Sequence, residues 1–317
     1  MSKDKFKIKN KLLSVSDFVE KRKEILVLMK DSGLGDMFSY RMIFEDIKSL
    51  IPDSRIVFAC PEKYFPVIED HPFIDEIVDC EKVNKKDFIV HYDITSVCFE
   101  YEMKTHPLVD LNRSDIVSKH CGFELKNHNM HINLENKYKE EAKSKLSNKV
   151  NFAICPFSHC SARSMTMSQI NKIKNKLDDL NINLICLHNK ENREVESLGI
   201  PVWKDLNLKQ WMGAISAVDY VISADTAGFH FAGGIKKPLI GIFGPTDGKI
   251  VGKYYDFILI QKHRDEGNWD CGPCYSWFNC PKTKNVPKPC IKEINDMKLI
   301  NSIDLILEKH PAKYSIN

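Results

Sequence analysis

At 317 residues the chain is longer than one hydrophobic core ordinarily serves, so two domains are expected. A composition of 43% hydrophobic and 28% charged residues, with ordinary Gly and Pro, is that of a soluble globular protein, and no apolar run reaches membrane-spanning length. Lys and Arg exceed Asp and Glu by only 46 − 43 = 3, and no basic stripe interleaved with aromatics stands out, so nucleic acid is not an expected partner.

The first 23 residues read as a polar extension with a short helix near 15–23, and they lack the apolar stretch of a signal peptide. A cytoplasmic location is the expectation. The first buried strand is Glu24-Ile25-Leu26-Val27-Leu28-Met29, which runs into Lys30-Asp31-Ser32-Gly33-Leu34-Gly35-Asp36. The two glycines allow a tight turn there. Met37, Tyr40, Ile43, Phe44, Ile47 and Leu50 then recur at helical spacing, and Pro52-Asp53 closes that helix before a strand at 55–59. The Gly loop matches neither the dinucleotide fingerprint nor the phosphate-binding lysine motif of nucleotide hydrolases. Asp36 is open to two readings: a helix-capping carboxylate favoured by the helix dipole, or a general base aimed at an acceptor hydroxyl.

Downstream, the pattern predicts a helix near 62–69, strands at 75–78 and 88–92, and helices at 113–121 and 137–146. His128 and His131 are read as surface or core histidines. A domain boundary is placed at 147, giving an extension (1–23), an N-terminal domain (24–147) and a C-terminal domain (148–317).

The second half restarts the alternation with a strand at 150–155 that ends in Pro156-Phe157-Ser158-His159-Cys160-Ser161-Ala162-Arg163. A helix at 167–180, a strand at 182–187 and helices near 192–198 and 208–217 follow. The strongest stretch is 221–247, VISADTAGFHFAGGIKKPLIGIFGPTD: the apolar run Tyr220-Val221-Ile222 reads as a strand that stops at Ser223-Ala224-Asp225-Thr226, and a small-residue helix over 227–234 and a strand over 238–243 follow. Parallel strands joined by a helix build doubly wound sheets, and ligands gather at the carboxyl ends of their strands. The bland reading is a plain unit in which Asp225 or Thr226 caps the helix. The fold class is thus α/β, with two Rossmann-like domains facing across a cleft.

Seven of the eleven cysteines (Cys60, Cys80, Cys98, Cys121, Cys155, Cys160 and Cys186) lie beside apolar runs and read as small buried hydrophobes. Cys271, Cys274, Cys280 and Cys290 instead crowd one loop. Their spacing has the character of a metal knuckle that would hold structural zinc or iron, against the alternative of four reduced thiols without metal.

Three features together resemble the lipopolysaccharide heptosyltransferase family. They are the strand followed by Ser32-Gly33-Leu34-Gly35-Asp36, the strand followed by Pro156-Phe157-Ser158 and Arg163-Ser164-Met165, and Asp225-Thr226-Ala227-Gly228-Phe229-His230 with Pro238 and Phe243-Gly244-Pro245-Thr246. The glycine after Asp-Thr is displaced by one; Arg163 replaces the family's lysine, and Met165 its tryptophan. The resemblance implies a GT-B architecture, with the nucleotide-sugar on the C-terminal domain and the acceptor on the N-terminal one.

It implies an inverting enzyme that moves a heptose from ADP-heptose to a lipopolysaccharide-type saccharide, attached at the membrane only through a lipid-linked acceptor. A protein or other polymer acceptor is the alternative, and a non-catalytic nucleotide-sugar binder is a second. In that reading Asp36 is the base, and Arg163 neutralises the leaving diphosphate without a catalytic metal. The N–H groups of Thr226, Ala227 and Gly228 would cradle phosphate at the helix N-terminus. Ser158 and Thr246 add hydroxyls, and Asp225 orients the sugar or the turn. His230 either joins the site or bonds a loop carbonyl. Some relatives carry a comparable four-cysteine element, which holds iron in protein heptosyltransferases of the group. The last helix, near 297–309, is expected to pack back across the domains. Oligomeric state is not legible.

Overall fold

A computed structural model describes residues 6–8, 11–13, 23–262, 272–275, 280 and 288–311. Its contacts divide the chain into two compact units, Met1–Glu100 with Arg113–His131, and Tyr101–Asn112 with Ile132–Asn317. Near the start, β1 (Phe6–Ile8) and β2 (Lys11–Leu13) form an antiparallel hairpin with Phe6 opposite Leu13. The helix expected near 15–23 lies outside the described residues except for Lys23.

The first unit is a four-stranded parallel sheet of β3 (Glu24–Leu28), β4 (Arg55–Cys60), β5 (Glu76–Asp79) and β6 (Val90–Asp93), in the order β5-β4-β3-β6. Ile25, Leu26 and Val27 are fully buried, as both faces of a parallel sheet require. The single helix expected from Met37 onward is two, Leu34–Tyr40 and Ile43–Leu50. Arg41 stands at the break with no exposed surface. Its guanidinium donates to the carbonyls of Val67 at 2.7 Å, Met130 at 2.6 Å and His131 at 2.5 Å, and to Asp70 Oδ1 at 2.7 Å. A buried guanidinium needs every donor met, and those acceptors fix the chain there. The helix expected near 62–69 is a 3-10 helix, Glu62–Val67, with Pro66 inside it.

The second unit is a six-stranded parallel sheet. It holds β7 (Asn151–Cys155), β8 (Asn183–Leu187), β9 (Val202–Trp203), β10 (Tyr220–Ala224), β11 (Leu239–Phe243) and β12 (Ile258–Gln261), in the order β12-β11-β10-β7-β8-β9. Counted within the unit and read from β9, that is 3-2-1-4-5-6, the doubly wound Rossmann order. The strand order reverses between β7 and β10 here, and between β3 and β6 in the first unit. Crevices at the carboxyl ends of such pairs are where α/β sheets bind ligands.

The helix Asn136–Lys143, expected in the first domain, belongs to the second unit, which resumes at Ile132, ahead of the boundary expected at 147. It packs against the helix Leu208–Ala217, where a Cβ on Gly213 would lie 2.4 Å from the Tyr138 carbonyl oxygen. The two helices meet backbone to backbone, and only glycine permits that approach. The final helix, Asp296–Lys309, buries Leu299, Ile303 and Ile306 in the core of the second unit. Among the described residues no helix is long and apolar enough to cross a membrane.

Candidate active site

At the reversal point of the second unit, β10 ends at Ala224, two residues beyond the apolar run expected to end at Ile222, and the chain turns through Asp225 into the helix Ala227–Gly234, which stands where the sequence predicts it. Thr226 caps it, its Oγ1 accepting the Gly228 N–H at 3.1 Å and lying 3.2 Å from Ser223 Oγ. Of the three N–H groups expected to face a diphosphate, that of Gly228 is therefore taken by the cap. A Cβ on Gly228 would stand 2.6 Å from Cys155 Sγ and 3.4 Å from Ser223 Oγ. Cys155 and Ser223 are register partners on β7 and β10, so the helix start is pressed onto both strands.

The loop after β7 is closed by the Met165 N–H donating to the Pro156 carbonyl at 2.9 Å, with Met165 buried in the core below. Ser158 donates its N–H to Ser164 Oγ at 3.0 Å. This bracing sets the short 3-10 helix Ser161–Arg163, whose Arg163 Nη1 lies 3.1 Å from Asp225 Oδ2. Thr246 Oγ1 donates to the same oxygen at 2.6 Å. Arg163, Asp225 and Thr246, drawn from three separate loops, thus form one cluster.

Burial pushes the Asp225 carboxyl up, but the Arg163 charge, the Thr246 hydroxyl and nearby His230 outweigh it and hold the group below the ordinary carboxylate range. The His230 ring is edge-on to Phe229, and its Nδ1 lies 3.2 Å from the Tyr255 hydroxyl.

Gln261, at the end of β12 with no exposed surface, escapes sequence reasoning. Its Nε2 donates to the carbonyls of Gly244 and Thr246, and its Oε1 accepts the Gly248 N–H at 3.1 Å. The signal was a lone amide closing the apolar run Ile258-Leu259-Ile260. One side chain thereby fixes the loop that carries Thr246.

In the first unit, the loop after β3 is braced by the Tyr64 hydroxyl donating to the Ser32 carbonyl at 2.8 Å. Asp36 Oδ2 accepts the Gly33 N–H at 2.8 Å, so the capping reading is realised. Oδ1 pairs with Arg113 Nη1, a partner the sequence did not mark. A carboxylate offers about four lone-pair sites, and these two contacts leave room for an acceptor hydroxyl.

Cys271 lies outside the described residues. Cys274 precedes Tyr275, whose N–H donates to the Pro245 carbonyl at 2.8 Å. The sulfur of buried Cys290 would be 3.2 Å from a Cβ on Gly244. Both cysteines therefore border the loop that carries Thr246. Among the described residues no group of three or more His, Cys, Asp or Glu is placed to hold a metal ion. Cys60, Cys80, Cys98, Cys121, Cys155 and Cys186 are buried as expected, whereas Cys160, in the loop after β7, is only partly buried; burial pushes the Cys121 and Cys186 thiols up to about 12.

A family model described as Glycosyltransferase family 9 (heptosyltransferase) matches residues 102–262. No curated protein matches the chain. The ADP-heptose lipopolysaccharide heptosyltransferase II of Escherichia coli superposes with a TM-score of 0.64 at 12% identity, covering 91% of this chain and 100% of that one. A family 9 glycosyl transferase from Veillonella parvula gives 0.67 at 12% identity, covering 90% and 97%. The dodecameric iron-containing heptosyltransferase TibC, from enterotoxigenic Escherichia coli, gives 0.69 at 13% identity in its complex with ADP-D-β-D-heptose, covering 90% and 76%. These likenesses carry the fold: the α/β class with Rossmann-like parallel sheets is that of the GT-B heptosyltransferases, as the sequence predicts.

Proposed function

This chain belongs to glycosyltransferase family 9 (heptosyltransferase), and from that premise we propose that it moves a heptose from ADP-heptose to a hydroxyl of a lipopolysaccharide-type saccharide, with inversion at the anomeric carbon. The observation that carries the donor side is the cluster of Arg163, Asp225 and Thr246 beside the capped start of the helix Ala227–Gly234, at the reversal point of a doubly wound sheet. The helix dipole and the Thr226 and Ala227 N–H groups favour a diphosphate there. Asp225 already binds Arg163 and Thr246, so its role is to aim the guanidinium. A guanidinium has five donors, and those not turned to Asp225 would meet the charge that grows on the departing ADP. Ser158 would add its hydroxyl, and His230 would position the group above it.

In the first unit Asp36 takes the proton of the acceptor hydroxyl. As that oxygen bonds to the anomeric carbon, the bond from the carbon to the diphosphate oxygen breaks, and ADP leaves with the electron pair. Arg113 and the Gly33 N–H hold the carboxylate in one orientation for this step. The enzyme would act in the cytoplasm and approach the membrane only through a lipid-linked acceptor.

The four-cysteine segment favours a second reading of the acceptor as a protein or other polymer, and we infer that its thiolates hold structural iron or zinc. A transfer assay with ADP-D-β-D-heptose tests the activity. Asp36→Asn should lower turnover by about a hundredfold or more while ADP binding stays nearly unchanged, the range general-base loss commonly spans. Full turnover by the variant would remove Asp36 as the base.

A further inference from the structure

β8 ends at Leu187, and the next residue, His188, stands half-buried at the carboxyl edge of the six-stranded sheet. It is fixed at three points. Its N–H donates to the Trp203 carbonyl of β9 at 3.4 Å, its ring lies edge-on to Phe157 with centroids 5.1 Å apart, and its Nδ1 lies 3.0 Å from the Lys190 carbonyl oxygen. A carbonyl only accepts, so Nδ1 carries a proton there. Nε2 makes no hydrogen bond among the described residues, and it keeps access to solvent.

Phe157 immediately precedes Ser158 in the loop that carries Arg163, so the imidazole packs against the donor loop itself. Along the edge the order is β10-β7-β8, and two strand spacings put the end of β8 about 10 Å from the start of the helix Ala227–Gly234. A nucleotide with its diphosphate at that helix start still has a ribose and a base to place. Toward β11 the edge is closed by the loop 244–246, which Thr246 ties to Asp225 and Gln261 holds from below. The base is therefore directed toward β8. An uncharged imidazole with its proton on Nδ1 presents Nε2 as an acceptor, which calls for a donor on the base. Adenine carries an exocyclic amino donor where guanine, like hypoxanthine, carries a carbonyl oxygen.

We propose that His188 reads the base of the donor nucleotide, Nε2 accepting from the amino group of adenine and turning away keto purines. This rests on the donor site proposed above, and it makes His188 a residue of specificity rather than of catalysis. Sites built to bond one polar group of a substrate discriminate against analogues lacking it, because their own polar atom is otherwise stranded.

The test is calorimetric titration of the full-length protein with ADP and with inosine diphosphate, in which a carbonyl replaces the amino group. The protein should bind ADP about tenfold more tightly, the scale of one stranded hydrogen bond. His188→Phe keeps a ring against Phe157 and should erase that margin by weakening ADP alone, with a Tm close to that of the unsubstituted protein. In His188→Gln the amide can turn either its carbonyl or its amino end to the base, so ADP affinity should recover while the margin stays absent. Equal binding of the two nucleotides by the unsubstituted protein, or a preference for inosine diphosphate, overturns the proposal. So does a margin that survives in His188→Phe, or a matched loss for both nucleotides, which would mark the ring as structural. If the unsubstituted protein binds neither nucleotide, the donor reading itself fails, and the proposal fails with it.

Discussion

Gly228 is the position where the fold and the candidate site depend most directly on one another. An alanine there would place its Cβ 2.6 Å from Cys155 Sγ and 2.8 Å from Cys155 Cβ, while unstrained heavy atoms approach to about 3.5–4.0 Å. Helix and strand would have to part by about 1 Å. Forcing a methyl into a packed interior costs about 1–3 kcal/mol. The better helix propensity of alanine returns at most about 1 kcal/mol, and less in a first turn. The clash wins, and Gly228→Ala should destabilise by about 1–2 kcal/mol in urea denaturation. The same displacement moves Arg163's partner turn, so ADP affinity should fall about tenfold or more, as a misplaced binding group commonly brings. Cys155→Ala removes only the sulfur and leaves the 2.8 Å contact, whereas Cys155→Gly removes both atoms. In the Cys155→Gly background the penalty for Gly228→Ala should therefore shrink by about 1 kcal/mol, a coupling that a double-mutant cycle reads directly. An unchanged penalty in that background, or a gain in stability from Gly228→Ala alone, would refute the close approach as the reason for glycine.

Three further outcomes are expected. Arg163→Ala strips a mostly buried carboxylate of its charged partner, which should cost about 3 kcal/mol of stability and weaken ADP binding strongly in titration; unchanged ADP affinity would end its phosphate role. Burial, with the Arg41 charge beside it, pushes the His71 imidazole down to about 3, so the folded protein refuses a proton that the unfolded chain accepts near 6.5. Stability should thus be intact above about pH 6.5 and decline as pH falls toward 3, by at most about 1.4 kcal/mol per unit from this group. His71→Gln should flatten that slope in acid titrations of stability, and an unaltered slope would clear His71. Elemental analysis of the purified protein should find about one iron or zinc per chain if the four-cysteine segment is a closed thiolate site; titratable thiols without metal would exclude it.

The parts of this structure legible in the sequence are those governed by local pattern. The strand at Tyr220–Ala224, its turn and the helix Ala227–Gly234 follow from an apolar run, a capping threonine and small residues; the helix stands where the pattern puts it, and the strand ends two residues later than its apolar run. Apolar spacing failed where a polar side chain was sent inward. It could not see that Arg41 would be buried and divide one helix into two, nor that Arg113 would close on Asp36 from 77 positions away. Such pairings depend on the tertiary path. The edge strand Ile258–Gln261 was hidden for another reason: four residues after an aromatic loop are too short for a period to declare itself. The meeting of Arg163 with Asp225 was half legible. Both residues were marked for the site, but in separate roles.

The loop carrying Thr246 is held by an amide on β12, and β12 is an edge strand of its sheet among the described residues. Outer strands open at lower free energy than central ones, because a neighbour pins them on one side only. The grip of Gln261 on the loop can therefore outlast no opening of that strand. In amide hydrogen exchange, Gly248, whose N–H is bonded to Gln261, should exchange in step with Ile258–Gln261 rather than with β10, a few residues from Asp225. Excursions of this border would set how often the loop lets go, so that the clock for opening beside Asp225 sits at the rim of the sheet and not at its centre.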